Sequence, residues 1–156
     1  MTIFESPADY FLEQGELADA IQALRHELQS RTPPSGQWLE LALLLCLQDY
    51  EQHCQEIRNL HALSEPEQRR SGLWNYVGGV MAIKEHQYPD AIACFRQCTR
   101  QNPAECSYWA ALGEALYLDC QYEQALACVQ NGLEIDDENE QCRNLRTSVL
   151  LALGRQ

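Results

Sequence analysis

The sequence predicts an all-α protein built from helix pairs that recur along the chain. Segments 38–48, 73–84 and 108–118 carry apolar residues at three- and four-residue steps, which places those residues on one face of a helix. No segment alternates apolar and polar residues with a period of two, so no strands are expected. A pattern of tyrosine, alanine and large apolar residues also recurs with a 34-residue period, which is typical of stacked helical units.

The 34-residue period is clearest in the second half of the chain. Residues 88–103 and 122–137 both open with tyrosine, followed by alanine three residues later and a large apolar residue four after that. The equivalent pairs are Tyr88 and Tyr122, Ala91 and Ala125, Cys94 and Cys128, and Phe95 and Val129. Weaker copies at 12–28 and 49–60 precede them. The step from Leu17 to Tyr50 is one position shorter than the period, whereas the step from Tyr50 to Tyr88 is four positions longer. The longer step predicts a loop insertion within 62–71, which is polar and contains a proline.

Capping signals place the ends of the predicted helices. Ser6 stands before a first-turn proline, and Ser64 stands three residues before a glutamate, as in a capping box. Pro89 is placed to open a helix and Pro103 to close one. With the repeat, these signals divide a single domain, 1–156, into four units and a final helix. The predicted units are 6–33, 34–67, 72–105 and 106–139, and the capping helix is 140–153.

The last full unit, 106–139, resembles the tetratricopeptide repeat, and the unit before it matches through the same kinds of residue. The matching residues are Trp109, Leu112, Gly113, Leu116, Tyr122, Ala125 and Val129 in the last unit, and Gly79, Tyr88, Ala91, Phe95 and Pro103 in the one before. Three residues depart from the motif: Gly78 replaces the usual leucine, and His53 and Gly132 replace alanines. The resemblance covers residues 6–139.

The resemblance implies a right-handed superhelix of antiparallel helix pairs, closed by a capping helix. It also implies that the first helix of each pair lines a concave groove. The groove residues would be Trp38, Ala42 and Leu45 in the second unit, Leu73, Tyr76, Val80 and Ile83 in the third, and Ala110, Glu114, Tyr117 and Leu118 in the fourth. Exposed apolar and aromatic patches of this kind mark binding sites. The alternative is that some of these residues belong to the core.

The charge of the chain narrows the range of partners. Its formal net charge of −12 would repel the phosphates of nucleic acids and anionic lipid headgroups. We therefore expect another protein as partner, with an apolar or amphipathic segment and basic flanks, and neither nucleic acid nor direct membrane binding. The N-terminus has no signal-peptide pattern, and the longest apolar run, 41–47, is too short to span a bilayer. Both features predict a cytoplasmic protein.

The eight cysteines are expected to be reduced, and most of them buried. Cys94 and Cys98 lie one helical turn apart, but no C-x-x-C pair and no second pair at zinc-site spacing is present, so no metal or other cofactor is predicted. His53 adjoins Cys54 in sequence alone, because consecutive helical residues point in different directions. Since no nucleophile and base are in position, no catalytic residues and no enzymatic activity are predicted.

These features predict a protein-interaction module, an adaptor or chaperone that binds an apolar peptide or helical segment of a client in its concave groove. Its size, acidity and repeat number are similar to those of small bacterial secretion chaperones with tetratricopeptide repeats. The alternative is a structural subunit that self-associates, for example as a homodimer, or that binds one permanent partner through the groove. A metal or redox sensor built on the cysteines is a third interpretation.

Overall fold

The computed structural model describes residues 17–30, 35–68 and 72–154, and all regular structure in these ranges is helical. The helices are α1 (Leu17–Ser30), α2 (Ser35–Gln68), α3 (Gly72–Lys84), α4 (Tyr88–Gln101), α5 (Cys106–Leu118), α6 (Tyr122–Ile135) and α7 (Glu140–Ala152). The predicted absence of strands therefore holds throughout the described ranges. None of these helices has the length and apolar content needed to cross a membrane.

Helix α2 consists of two segments joined at Asp49, whose backbone is extended (φ −163°, ψ 97°). Asp49 Oδ1 accepts a hydrogen bond from Gln52 N at 3.2 Å, so this side chain caps the second segment. The second segment stays helical up to Gln68, and the predicted loop insertion within 62–71 is therefore wrong for most of its length. The extra residues lengthen the helix because alanine, leucine and glutamate, which favour helices, dominate that stretch.

The chain forms two compact units, Met1–Val77 and Gly78–Gln156, and the boundary between them falls within α3. In the first unit, α1 packs against α2 and buries Leu24 completely. Arg25 Nη1 and Nη2 each lie 2.9 Å from a carboxylate oxygen of Glu56, which joins the two helices. Because both side chains are partly exposed, this ion pair contributes at most about 1 kcal/mol, and apolar burial holds α1 in place.

His61 and Trp74 link α2 to α3 within the first unit through reciprocal contacts. Trp74 Nε1 donates to the His61 carbonyl at 3.1 Å, and His61 Nε2 lies 3.0 Å from the Trp74 carbonyl. The two rings are stacked, with centroids 4.3 Å apart and planes inclined by 16°. His61 therefore packs α2 against α3 through both its ring and its carbonyl group.

In the second unit, each helix from α4 to α7 packs against the next, and α5 also contacts α7. Two glycines permit close approach between helices. A Cβ atom at Gly79 would lie 2.5 Å from Phe95 Cε1, and a Cβ at Gly113 would lie 3.0 Å from Leu145 Cδ2. These small residues of the repeat motif therefore let neighbouring helices pack closely.

The departure of Gly132 from the motif is explained by Cys142. A Cβ atom at Gly132 would lie 2.7 Å from Cys142 Sγ, far closer than van der Waals contact allows. Cys142 is fully buried in a cluster with Cys106, Ala110 and Val129. The thiol of α7 thus fills the space that an alanine methyl group on α6 would need.

The turns after α3 and α5 share one backbone geometry. His86 and Cys120, which occupy equivalent positions in successive repeats, adopt φ angles of 60° and 61°. In both turns the amide of the following glutamine donates to the carbonyl five residues earlier at 2.8 Å, which is the Schellman pattern. Each turn residue also hydrogen-bonds the tyrosine two positions on: His86 Nδ1 lies 3.0 Å from Tyr88 Oη, and the side chain of Cys120 hydrogen-bonds that of Tyr122. The 34-residue repeat therefore includes the backbone conformation of these turns as well as the helices.

Candidate binding surface

The candidate site lies on the first helices of the pairs in the second unit. We call it the first-helix face, and it consists of Val80 and Ile83 on α3, Glu114, Tyr117 and Leu118 on α5, and Leu151 on α7. The 34-residue repeat relates Val80 to Glu114, and it relates Ile83 to Tyr117 and Leu151. The apolar members on α3 and α5 are half-buried, Leu151 is 64% exposed, and Glu114 is exposed. Solvent therefore reaches apolar surface at equivalent places in successive helices.

The other predicted groove residues differ in accessibility. Three of them are buried: Ala42 and Leu45 at 0% exposure and Ala110 at 5%. These side chains have almost no surface left for a partner. They fit the alternative interpretation, in which some of the predicted groove residues belong to the core. Leu73 and Tyr76 are half-buried and belong to the first unit, while the side chain of Trp38 lies outside the described residues.

Tyr117 is held at the end of α5 by a neighbouring aromatic ring. The centroids of the Tyr117 and Tyr122 rings are 5.6 Å apart, with planes inclined by 54°. The Cys120 thiol hydrogen-bonds Tyr122 in the intervening turn, and this bond is the main reason that the pKa of Tyr122 is raised. This contact restricts the Tyr117 ring, which lowers the conformational entropy lost on binding and favours its use as an anchor.

The charged groups around the first-helix face are mostly acidic. Glu114 lies one turn before Tyr117 on α5 and forms no ion pair with the described residues. Asp119 follows directly after α5 and accepts a hydrogen bond from Gln121 Nε2 at 2.7 Å. The C-terminal ends of α3, α5 and α7 add partial negative charge, which Lys84 at the end of α3 opposes. A cationic group of a partner would be attracted to this surface.

Leu151 is absent from the predicted site residues because α7 was predicted solely as a cap. The structure buries Val149 of α7 and half-buries Leu145, Leu150 and Leu153. Leu151 lies on the exposed side of the helix. One signal in the sequence would have found it, since extending the 34-residue period by one step from Tyr117 reaches Leu151.

None of the cysteines, all of which lie in the described ranges, forms a disulfide. Burial raises the pKa of Cys98 to about 12, with a smaller contribution from Cys94, and it raises the pKa of Cys128 to about 11. At neutral pH these thiols stay protonated, which is the less reactive form. Cys120, in the turn after α5, is exposed. Within the described part of the chain, no three His, Cys, Asp or Glu side chains come together in a way that would hold a metal ion.

Cys106 and Cys142 form a buried pair of thiols in contact. Their Sγ atoms are 3.8 Å apart, and Cys106 Sγ donates to the Gly132 carbonyl at 3.2 Å. Burial, followed by the hydrogen bond with Cys106, raises the pKa of Cys142 to about 12. Through these contacts the two thiols pack α5, α6 and α7 against one another.

An open cleft of about 320 Å³ lies between α6 and α7. It is lined by Gln130, Leu133, Glu134 and Arg146, none of which belongs to the first-helix face. Its carboxylate and guanidinium groups are both exposed, so the cleft lacks the apolar character of the first-helix face.

Comparison with solved structures establishes the fold. A crystal structure of MamA aligns with a TM-score of 0.70 at 13% identity, covering 97% of this chain and 87% of that one. MamA from Desulfovibrio magneticus RS-1, residue 41 to the end, aligns with a TM-score of 0.65 at 16% identity, covering 94% and 87%. YrrB, described as a TPR protein with an unusual peptide-binding site, aligns with a TM-score of 0.67 at 11% identity, covering 90% and 71%.

No family model and no curated protein matches the sequence. The structural similarities nevertheless define the class of fold. The chain is an all-α solenoid of antiparallel helix pairs of the tetratricopeptide type, which confirms the fold class predicted from the sequence.

Proposed function

We propose that this chain is a protein-interaction module, an adaptor or chaperone whose first-helix face binds an apolar segment of a client protein. One observation carries the proposal: solvent-accessible apolar side chains occupy equivalent places on α3, α5 and α7, with the exposed Glu114 among them. The similarity to YrrB supports it, because that protein of the same fold is described as having a peptide-binding site.

The energetics favour a reversible complex. Full burial of a leucine, isoleucine or valine side chain stabilises a complex by about 1.5–3 kcal/mol, and the members of the first-helix face are already partly buried. Together they would contribute on the order of 5 kcal/mol before the cost of ordering the bound segment is subtracted. A weak complex of this kind suits an adaptor or chaperone that must release its client, as a secretion chaperone does.

The charge favours a client segment with basic flanks. The net charge of −12 attracts cations from a distance, and Glu114 offers a local partner for a lysine or arginine. The same charge disfavours nucleic acid as a ligand, because its phosphates would be repelled.

Affinity capture from the native host with matched variants tests the proposal. Tyr117→Ala removes the aromatic anchor, and we expect it to lose the captured client, measured by quantitative mass spectrometry. Ile135→Ala is the control, since Ile135 is 43% exposed on α6 and lies outside the first-helix face. This control should keep the client. If Tyr117→Ala captured the same proteins in the same amounts as the control, the first-helix face would not be the binding site.

Self-association through the same face is the alternative function, and light scattering separates the two. A monomer at all concentrations supports a client-binding face. A dimer that persists on dilution and dissociates in Tyr117→Ala would instead support a structural subunit that uses this face for its own copy.

A further inference from the structure

Three apolar residues of the first-helix face recur at equivalent positions in successive units, the last of them on α7, and we call these three residues the row. Ile83, Tyr117 and Leu151 are each the penultimate residue of their helix, and each is separated from the next by one 34-residue period. Leu151 is 64% exposed, among the most exposed large apolar side chains in the described ranges. A helix that served solely as a polar cap would place a polar residue there, because the outer face of a terminal repeat must stay soluble.

We propose that α7 belongs to the binding surface and that this row takes an extended segment of another protein, with apolar residues three positions apart and basic residues between them. The inference rests on the proposed function and specifies the conformation and residue pattern of the client. It differs from the general proposal in requiring Leu151 and a fixed spacing.

The spacing of the row fits an extended segment. Helices α5 and α7 are in contact, and the axes of packed helices are about 8–10 Å apart. In a polyproline-II segment, three residues advance the chain by about 9 Å and return the side chain to the same side. A residue three positions away from the one that contacts Tyr117 therefore meets Leu151.

The charges beside the row fit basic residues at the intervening positions. On one side lies the Glu114 carboxylate, one turn before Tyr117. On the other side lie the C-terminal ends of α3, α5 and α7, whose partial negative charge favours cations, together with Asp119 after α5. Lys84 lies at the end of α3, so we expect the attraction for basic residues to be stronger near Tyr117 than near Ile83.

Two synthetic peptides of equal length provide the test, read out by fluorescence polarisation at low salt. One is Leu-Lys-Ser-Leu-Lys-Ser-Leu, and the other has serine in place of the last leucine. We expect the third leucine to raise the affinity about tenfold, as burial of one leucine side chain allows. This gain should disappear in Leu151→Ser. It should remain in Leu47→Ser, the matched control, because Leu47 is 62% exposed on α2 and outside the face.

The outcomes separate the inference from the proposed function. If Tyr117→Ala weakens both peptides but Leu151→Ser keeps the gain from the third leucine, α7 is not part of the site and the inference fails alone. The inference also fails if a peptide with leucines seven positions apart binds more tightly than the three-residue pattern. If no peptide binds, or if Tyr117→Ala changes neither affinity, the proposed function fails with it. Since Leu151 is exposed, its replacement leaves the core intact, and circular dichroism checks this.

Discussion

The contact between Gly132 on α6 and Cys142 on α7 offers a direct test of how the last helices pack. A Cβ atom at Gly132 would lie 2.7 Å from Cys142 Sγ and 3.6 Å from Cys106 Sγ. Cys142 is fully buried and its Sγ already touches Cys106 at 3.8 Å, so the thiol has little room to move aside. Gly132→Ala should therefore force α6 and α7 apart.

The expected magnitude follows from two opposing effects. Overpacking a well-filled core by one methyl group costs about 1–3 kcal/mol. Replacing glycine by alanine inside a helix recovers about 1 kcal/mol of helix propensity. We expect Gly132→Ala to lower the free energy of unfolding by about 1 kcal/mol. In a Cys142→Ala background the obstructing sulfur is gone, so the same change should raise it by about 1 kcal/mol.

Urea denaturation of four proteins, followed by circular dichroism, measures the coupling between the two positions. The wild type, each single variant and the double variant form a double-mutant cycle, whose expected interaction energy is about 2 kcal/mol. Equal effects of Gly132→Ala in both backgrounds would refute the explanation that Cys142 excludes an alanine at this position.

Two further predictions concern cysteine side chains. Cys120→Gly removes a side chain from a residue with φ of 61°, so we expect the free energy of unfolding to rise by about 1 kcal/mol in urea titrations. The control, Cys94→Gly inside α4, should lower it by about 1 kcal/mol. A loss of stability in both variants would contradict the argument that Cys120 is strained. Burial raises the pKa of Cys98 and Cys142 from 9.0 to about 12, so both thiols stay protonated in the folded state while they ionise in the unfolded state. The contribution of these buried neutral thiols to the free energy of unfolding is complete below pH 9 and declines as the pH rises towards 12. In Cys98→Ala the free energy of unfolding should therefore fall less steeply with pH than in the wild type. Equal slopes in unfolding experiments from pH 8 to 11 would contradict this prediction.

Much of the fold was predictable because the signals that define it are local. The helical steps in 73–84 and 108–118 and the proline at position 89 mark helices without reference to the rest of the chain. Where the local signal was mixed, prediction failed: the stretch 62–68 carries a proline that suggested a loop and a serine that suggested the start of a helix, yet it extends α2. The helix formers around the proline outweigh those two residues there.

The candidate site was less predictable, because exposure depends on neighbours that are distant in sequence. Ala110 and Glu114 lie on one face of α5, but α7 and α6 bury Ala110 in the cluster with Val129 and Cys142, whereas Glu114 stays exposed. Leu151 was overlooked for a related reason. Its pattern in the sequence suits a buried leucine equally well.

The amino-acid sequence alone determined that this protein is a series of helix pairs with a 34-residue period, since apolar steps, caps and turn residues act over a few positions. Tertiary structure decided which side chains remain open to a partner, and why Gly132 stands where the motif has alanine. The physical reason is that burial and steric exclusion arise between residues from different helices. No local pattern records that the thiol of Cys142 fills the space beside Gly132.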